Sequence, residues 1–262
     1  MSDIIIEVDN LTKTYKLGIF NHRAFVSDLA EFLHIQKKYS DDLDDNFSGN
    51  VNKTKNEVNA LNGISFTISK GDRVALIGRN GSGKSTFLKI LSRITRPTSG
   101  KIKYKGKLIS ILEQGIGFSS ELTAIDNIYI NAALLGCSKN QTDEIIPYIK
   151  DFADIHEFMD TPIKRYSSGM ITRLGFAIAA FVPSDILIVD EVLAVGDENF
   201  RNKCLKLIKK LSDEQERTLI FVSHEMELIK NICNRGILLN QGKVILDGSL
   251  HDVVTKYKEM NL

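Results

Sequence analysis

Short apolar runs alternate with stretches of helical periodicity along most of the chain. We predict strands where apolar and β-branched residues occur together between turn residues. The predicted strands are residues 4–8, 64–68, 73–77, 108–112, 186–189, 219–222, 236–239 and 243–247. Strands that alternate with helical patterns in this way are typical of an α/β fold.

Two segments depart from the alternation. Residues 119–181 are mostly helical in pattern and separate two blocks of strands, which predicts an inserted helical subdomain. Residues 21–59 form a second insertion, which begins with an amphipathic helix and continues from Ser40 to Asn59 as an acidic, flexible surface loop. The apolar positions of that helix are Phe25, Val26, Leu29, Phe32 and Leu33. We otherwise treat residues 1–262 as a single domain.

Composition narrows the class of protein. The 262 residues are 43% hydrophobic and 26% charged, as in soluble globular proteins. A net charge of +1 does not favour nucleic acid or an anionic membrane as a partner. The three cysteines form no C-x-x-C pair, which fits a reducing cytosol. No signal peptide or spanning segment is apparent, so a role in transport would need a separate membrane partner.

Residues 78–86 read Gly-Arg-Asn-Gly-Ser-Gly-Lys-Ser-Thr and match the phosphate-binding motif G-x-x-x-x-G-K-[ST]. A predicted strand precedes the motif and a helix, predicted at residues 86–92, follows it. Backbone N–H groups and the helix N-terminus bind phosphate in such a loop, Lys84 reaches the β- and γ-phosphates, and Ser85 ligates Mg²⁺. The predicted nucleotide-binding residues here are Gly78, Asn80, Gly81, Ser82, Gly83, Lys84, Ser85 and Thr86. ATP and Mg²⁺ are therefore the predicted ligands.

A second acidic site follows the predicted strand 186–189. Asp190 at the strand end suits Mg²⁺, directly or through water. Glu191 beside it suits the general base that polarises the attacking water. A strand followed by an acidic turn would be common by itself, but its occurrence with the lysine loop favours a nucleotide hydrolase, with Lys84 as a further catalytic residue.

The helical insertion ends in a sequence that resembles the L-S-G-G-Q signature of ABC ATPases. Residues 166–170 read Tyr-Ser-Ser-Gly-Met, and Ser167 and Gly169 keep the functional positions of that signature. Tyr166, Ser168 and Met170 depart from the commonest pattern. The pentapeptide alone would indicate only a serine that caps a helix.

Other elements of the ABC family occur in the expected order. The resemblance implies that Tyr15 stacks on adenine and that Gln114 reaches Mg²⁺ and water. It also implies that Asp197 crosses a dimer interface and that His224 contacts the γ-phosphate and holds the attacking water. Stacking needs only a flat ring, so the preference for ATP over GTP is expected to be loose.

Within the family, the chain resembles the subfamily that exports bacterial surface polysaccharides such as O-antigen, capsule and teichoic acid. The residues that carry this resemblance lie at 113–118, 121–128, 166–176 and 190–197. It implies a P-loop fold of ABC type, with a mixed β core, the helical subdomain and an antiparallel β subdomain. Some members carry a C-terminal β-sandwich that reads the polymer end, and we expect none here.

The resemblance also implies partners. Two copies would sandwich two ATP molecules, and each site would combine residues of both copies. One copy would supply Lys84, Ser85, Gln114, Asp190, Glu191 and His224, and the other would supply Ser167 and Gly169. A polytopic permease would hold the dimer at the cytoplasmic face of the inner (cell) membrane and move a lipid-linked polysaccharide, and no nucleic acid would be bound.

Three alternatives stay open at this point. A soluble ABC ATPase of DNA repair or translation would usually show a long coiled coil or two tandem cassettes, and the sequence shows neither. An ABC transporter subunit could also serve another substrate. A small-metabolite kinase is disfavoured by the signature and by His224.

Overall fold

The computed structural model describes residues 3–16, 57–111, 117–190, 198–214, 217–223 and 225–260. The chain divides into two compact units, one made of Met1–Lys13 with Ala60–Leu262 and the other of Thr14–Asn59. In the described part of the second unit, the Thr14 hydroxyl donates to the Asn59 amide oxygen at 2.7 Å. The assignment of residues 1–262 to a single domain stays a prediction.

A six-stranded sheet forms the centre of the first unit, in the order β5-β6-β7-β3-β8-β9. Its strands are β3 (Arg73–Ile77), β5 (Leu108–Ser110), β6 (Ile186–Val189), β7 (Thr218–Phe221), β8 (Arg235–Asn240) and β9 (Lys243–Ser249). Four neighbouring pairs are parallel, namely β5–β6, β6–β7, β7–β3 and β3–β8. The last pair, β8–β9, is antiparallel. The short apolar strands are buried on both faces, as parallel strands covered by helices are.

A smaller sheet has the order β2-β1-β4. Its strands are β1 (Ile4–Lys16), β2 (Glu57–Ser69) and β4 (Ser99–Tyr104), and β1 pairs antiparallel with β4.

Seven helices complete the described elements. They are α1 (Lys84–Leu91), α2 (Ala124–Leu134), α3 (Lys139–Ala153), α4 (Ser168–Phe181), α5 (Glu198–Glu214), α6 (Met226–Ile232) and α7 (Leu250–Glu259), with 3₁₀ turns at His156–Phe158 and Ile163–Arg165. Thr123 and Ser138 begin α2 and α3 with capping boxes, which satisfy two backbone N–H groups at each helix start.

The core consists of two clusters on opposite faces of the large sheet. Along β3, Val74 and Leu76 contact the cluster shared with the small sheet and α1, whereas Ala75 and Ile77 contact the cluster shared with the helical subdomain. Because successive strand residues point to opposite faces, one short apolar strand contributes to both clusters.

The predicted α/β fold with a mixed β core, a helical subdomain and an antiparallel β subdomain is confirmed. The acidic-loop prediction is wrong at one end, because residues 57–59 belong to β2 rather than to a loop. The rest of that loop and the predicted amphipathic helix lie outside the described residues. The sequence pattern also missed β4, and it placed the end of β5 two residues too late. No helix in the described part of the chain combines the length and apolar character that crossing a membrane requires.

Candidate functional site

The phosphate loop joins the end of β3 to the start of α1, and the chain's own atoms leave no room for a side chain at two of its glycines, Gly78 and Gly83. A Cβ at Gly78, where φ is +158°, would lie 2.3 Å from the Leu239 carbonyl oxygen. A Cβ at Gly83, where φ is +109°, would lie 2.5 Å from the Ala60 carbonyl oxygen. Since neighbouring backbone closes on both positions, a side chain at either would force the loop open.

Lys84 is buried at the first position of α1. Its ammonium donates to the Gly78 carbonyl at 2.5 Å and to the Arg79 carbonyl at 3.1 Å, so the loop curves around it. A phosphate oxygen would be a stronger acceptor than these neutral carbonyls, because charge-assisted hydrogen bonds are roughly twice as strong.

Ser82 provides an independent indication of a polar ligand. Ser82 is 3% exposed, and its hydroxyl has no hydrogen-bond partner among the residues that the structure describes. Buried hydroxyl groups are normally paired, so an orphaned one inside a glycine-rich loop fits an anion with several acceptor oxygens. The start of α1 has no side-chain cap, which leaves its first N–H groups directed at the same place.

The strand order brings the predicted acidic site to the same edge of the sheet. In β3, β7 and β6, Ala75 pairs with Phe221 and Phe221 pairs with Val189, so the three parallel strands end at about the same level. Asp190 follows β6 and is half-buried. One strand separates β6 from β3, which corresponds to about 10 Å between the two strands. Asp190 and the phosphate loop therefore face the same edge.

The signature turn begins α4 and is open to solvent. Ser167 is the N-cap residue, and its hydroxyl accepts from the Met170 N–H at 3.2 Å. Ser167 and Ser168 are both exposed. A Cβ at Gly169 would meet only the Ser167 hydroxyl, at the ordinary contact distance of 3.8 Å. The described residues therefore give no steric reason for a glycine at position 169.

Tyr166 has a structural role that the sequence did not reveal. It is buried, its hydroxyl donates to the Phe158 carbonyl at 2.6 Å, and its ring meets Phe158 edge-on. Burial raises the pKa of Tyr166 to about 12, so its hydroxyl stays a donor at neutral pH. In the sequence, the only sign of this role was that Tyr166 stands where the commonest ABC signature has leucine.

The remaining predicted residues are placed as follows. Asn80, Gly81 and Ser85 are exposed in and after the loop, and Thr86 is half-buried in α1. Tyr15 lies in the second unit, near the end of β1, with 37% of its surface exposed. The predicted residues that lie outside the described residues are Gln114, Glu191, Asp197 and His224. Their proposed roles stay predictions.

Comparison with known proteins decides the family. Residues 61–194 match the family model described as ABC transporter. The chain belongs to the ABC transporter family. This confirms the predicted ABC-type ATPase that the phosphate loop and the signature indicated.

Two relatives show which members of the family this chain resembles. The O-antigen export system ATP-binding protein RfbB of Klebsiella pneumoniae is 44% identical over 200 residues, which cover 76% of this chain and 81% of the relative. The teichoic acids export ATP-binding protein TagH of Bacillus cereus (strain ZK / E33L) is 39% identical over 87% of this chain, but this match covers only 42% of that longer protein. The resemblance to polysaccharide exporters is confirmed, and these relatives do not support a repair or translation protein.

A solved structure supports the fold. The dimeric, post-hydrolysis ATP-binding cassette MJ0796, bound to ADP and phosphate, matches 94% of this chain and 99% of its own, with a TM-score of 0.68. At 21% identity, that likeness establishes the fold alone.

Proposed function

We propose that this chain hydrolyses ATP to power export of a lipid-linked cell-surface polysaccharide through a separate transmembrane subunit. The export functions in the names of its relatives support the substrate class. The observation that carries the mechanism is the pairing of a closed phosphate loop with an exposed signature turn in one chain. An ABC subunit for another substrate is the alternative that the export test below addresses.

The phosphate loop would hold the triphosphate of ATP. Lys84 would exchange its carbonyl acceptors for the β- and γ-phosphates, and the Ser82 hydroxyl, which is unpaired within the described part of the chain, would gain an acceptor. Ser85 and Asp190 offer the hydroxyl and carboxylate oxygens that Mg²⁺ prefers. When bound there, Mg²⁺ neutralises charge on the phosphates. Tyr15 is the proposed adenine contact.

Hydrolysis transfers the γ-phosphoryl group to water. The water oxygen bonds to the γ-phosphorus, the bond to the bridging oxygen breaks, and ADP and phosphate leave. We assign acceptance of the water's proton to Glu191, and orientation of the water to His224 and Gln114. These assignments rest on the family resemblance.

A second copy would complete each site. Ser167 and Gly169 of one copy would face the γ-phosphate held by the other, with Asp197 at the interface. Ser167 caps one N–H group at the start of α4, and the positive end of the helix dipole there favours an anion. The space at Gly169, which no described residue except Ser167 approaches, suits close approach of a phosphate. ATP would then bridge the two copies, and its hydrolysis would release them.

The closing and opening of the two copies would be transmitted to the permease. Attachment to it would place the chain at the cytoplasmic face of the cell membrane. The predicted helix containing Phe25, Leu29 and Phe32 would either pack on this chain's own sheet or dock on the permease or the cytosolic face of the membrane.

The test of the ATP sandwich is Glu191→Gln, which keeps size and shape but removes the base. We expect hydrolysis to fall by about 10²–10⁴-fold while ATP binding persists. Light scattering should show a monomer without nucleotide and a dimer with ATP. The control Ser167→Arg in the same background should bind ATP and stay monomeric. A Glu191→Gln protein that binds ATP yet stays monomeric would overturn the sandwich.

The same variant tests the substrate in cells. In a strain that lacks this chain, the wild type should restore surface polysaccharide. Glu191→Gln should not, and the lipid-linked precursor should accumulate inside the cell. A strain without this chain that shows normal surface polysaccharide and lacks another exported compound instead would contradict the proposed substrate class.

A further inference from the structure

Asn127, in the first turns of α2, holds the preceding turn in one shape. Its side chain is fully buried. The amide oxygen accepts from the Ser119 N–H at 2.8 Å. The amide nitrogen donates to the carbonyls of Ser119, Leu122 and Thr123 at 3.1, 3.2 and 2.8 Å. One buried amide thus fixes residues 119–123, hereafter the Asn127 turn.

The Asn127 turn is bonded by its backbone to the residues that lead into the signature. The Ile163 N–H donates to the Leu122 carbonyl at 3.0 Å, and the Lys164 N–H donates to the Ser120 carbonyl at 3.0 Å. The Leu122 carbonyl therefore accepts from both the Asn127 amide and Ile163. A displacement of the turn would carry residues 163 and 164 with it.

Residues 163–166, hereafter the lead-in, in turn set the start of α4. Lys164 is three positions before Ser167 in the chain. The Tyr166 N–H donates to the Ile163 carbonyl at 2.8 Å, and the Tyr166 hydroxyl is held by the Phe158 carbonyl at 2.6 Å. Little slack is left between the Asn127 turn and the signature serine, because each step is a backbone or buried hydrogen bond.

We propose that Asn127 is a positioning residue that sets the location of Ser167 for contact with the ATP bound by the second copy. The inference rests on the proposed two-copy site. It assigns Asn127 an effect on its partner's nucleotide and none on the nucleotide in its own phosphate loop.

The first test is Asn127→Ala in the Glu191→Gln background. ATP affinity of the monomer, measured with a fluorescent ATP analogue, should stay within about twofold, while ATP-driven dimerisation should weaken by about tenfold or more. Asn131→Ala is the matched control, because Asn131 lies one turn later in α2 and donates to the Asn127 carbonyl at 2.9 Å. It should leave both quantities within about twofold. Equal losses of affinity and dimerisation, or no loss of dimerisation, would overturn the proposal.

The second test uses the same substitutions in two arrangements, with all chains in the Glu191→Gln background. In the split arrangement, one chain carries Asn127→Ala and the other Lys84→Ala. In the joint arrangement, one chain carries both and the other neither. In the split arrangement, one of the two sites combines an intact Lys84 from one chain with the Ser167 of a chain whose Asn127 is intact. In the joint arrangement, each site contains one defect. The split arrangement should therefore yield more mixed dimer with ATP than the joint arrangement. Equal or lower yield in the split arrangement would contradict an effect in trans.

A measurement on the wild type keeps the proposal testable if Asn127→Ala does not fold. In native-state hydrogen exchange, the amides of Leu122, Ile163 and Lys164 should open together, with the same free energy. Separate opening of the turn and the lead-in would refute the coupling. Failure of the two-copy site itself would be visible separately, as absence of a dimer in Glu191→Gln with ATP and Asn127 intact.

Discussion

The phosphate loop and the signature turn are both glycine-containing turns that begin a helix, yet they relate differently to the rest of the chain. Gly78 and Gly83 face backbone oxygens at 2.3 and 2.5 Å, and Lys84 is buried between carbonyls. Within the described ranges, an added Cβ at Gly169 would meet only the Ser167 hydroxyl, and Ser167 is exposed. The phosphate loop packs against other residues of its own chain, whereas the signature turn faces solvent.

This difference separates folding from function. A residue required by the chain's own packing should affect stability and activity together. A residue required by something outside the chain should affect activity alone. The two glycine sites therefore provide a direct way to test which half of the proposed composite site each belongs to.

The largest effect is expected from Gly78→Ala. The new Cβ would collide with the Leu239 carbonyl and the Ser82 hydroxyl, so the loop must shift, at a cost on the order of 2 kcal/mol or more in the free energy of unfolding. ATP binding should be lost. Gly81→Ala is the control, because φ there is +79° but no atom of a described residue lies within 4 Å of the added Cβ. It should cost about 1 kcal/mol of strain. Urea unfolding measures the loss in the free energy of unfolding for both variants. Equal losses would mean that the collision at Gly78 does not affect stability.

Gly169→Ala should affect assembly without harming the fold. Replacing a helical glycine by alanine where space is open should leave the free energy of unfolding unchanged or raise it by up to about 1 kcal/mol. ATP affinity of the monomer should persist, and ATP-driven dimerisation of the Glu191→Gln protein should fall. A loss of stability larger than about 1 kcal/mol would show that the chain itself needs this glycine, and the contrast between the two turns would fail.

The smallest effect is expected from Tyr166→Phe. The ring and its packing stay, and one hydrogen bond to Phe158 is lost, which should cost about 1 kcal/mol. The pKa of Tyr166 is raised from 10.0 to about 12 in the folded state, so its contribution to stability is complete below about pH 10 and is lost as the pH rises through about 12.

Urea unfolding between these pH values should therefore show stability falling with pH more steeply in the wild type than in Tyr166→Phe. Identical slopes would mean that the tyrosine does not ionise differently in the folded and unfolded states.

The parts that could be predicted from sequence are those whose signal is local. The phosphate loop is contiguous, and β3 and β6 are short apolar runs whose bounds were predicted correctly. Strand β4 was missed because its Ser-Gly-Lys-Ile-Lys-Tyr sequence is polar and mostly exposed. Residues 57–59 look like an acidic loop but pair as strand, since a partner strand can override a weak local preference.

The sequence alone determined the α/β class and the phosphate-binding motif, and it indicated the family, because short contiguous segments carry each of these signals. Only the tertiary structure showed that Leu239 makes Gly78 necessary and that the described residues leave space beside Gly169. It also decided that Asp190 shares an edge with the loop, and that Asn127 is bonded to the lead-in of the signature. These facts depend on strand order and on contacts between residues distant in the chain. Local pattern carries no information about such contacts, because they form only when separate elements pack together.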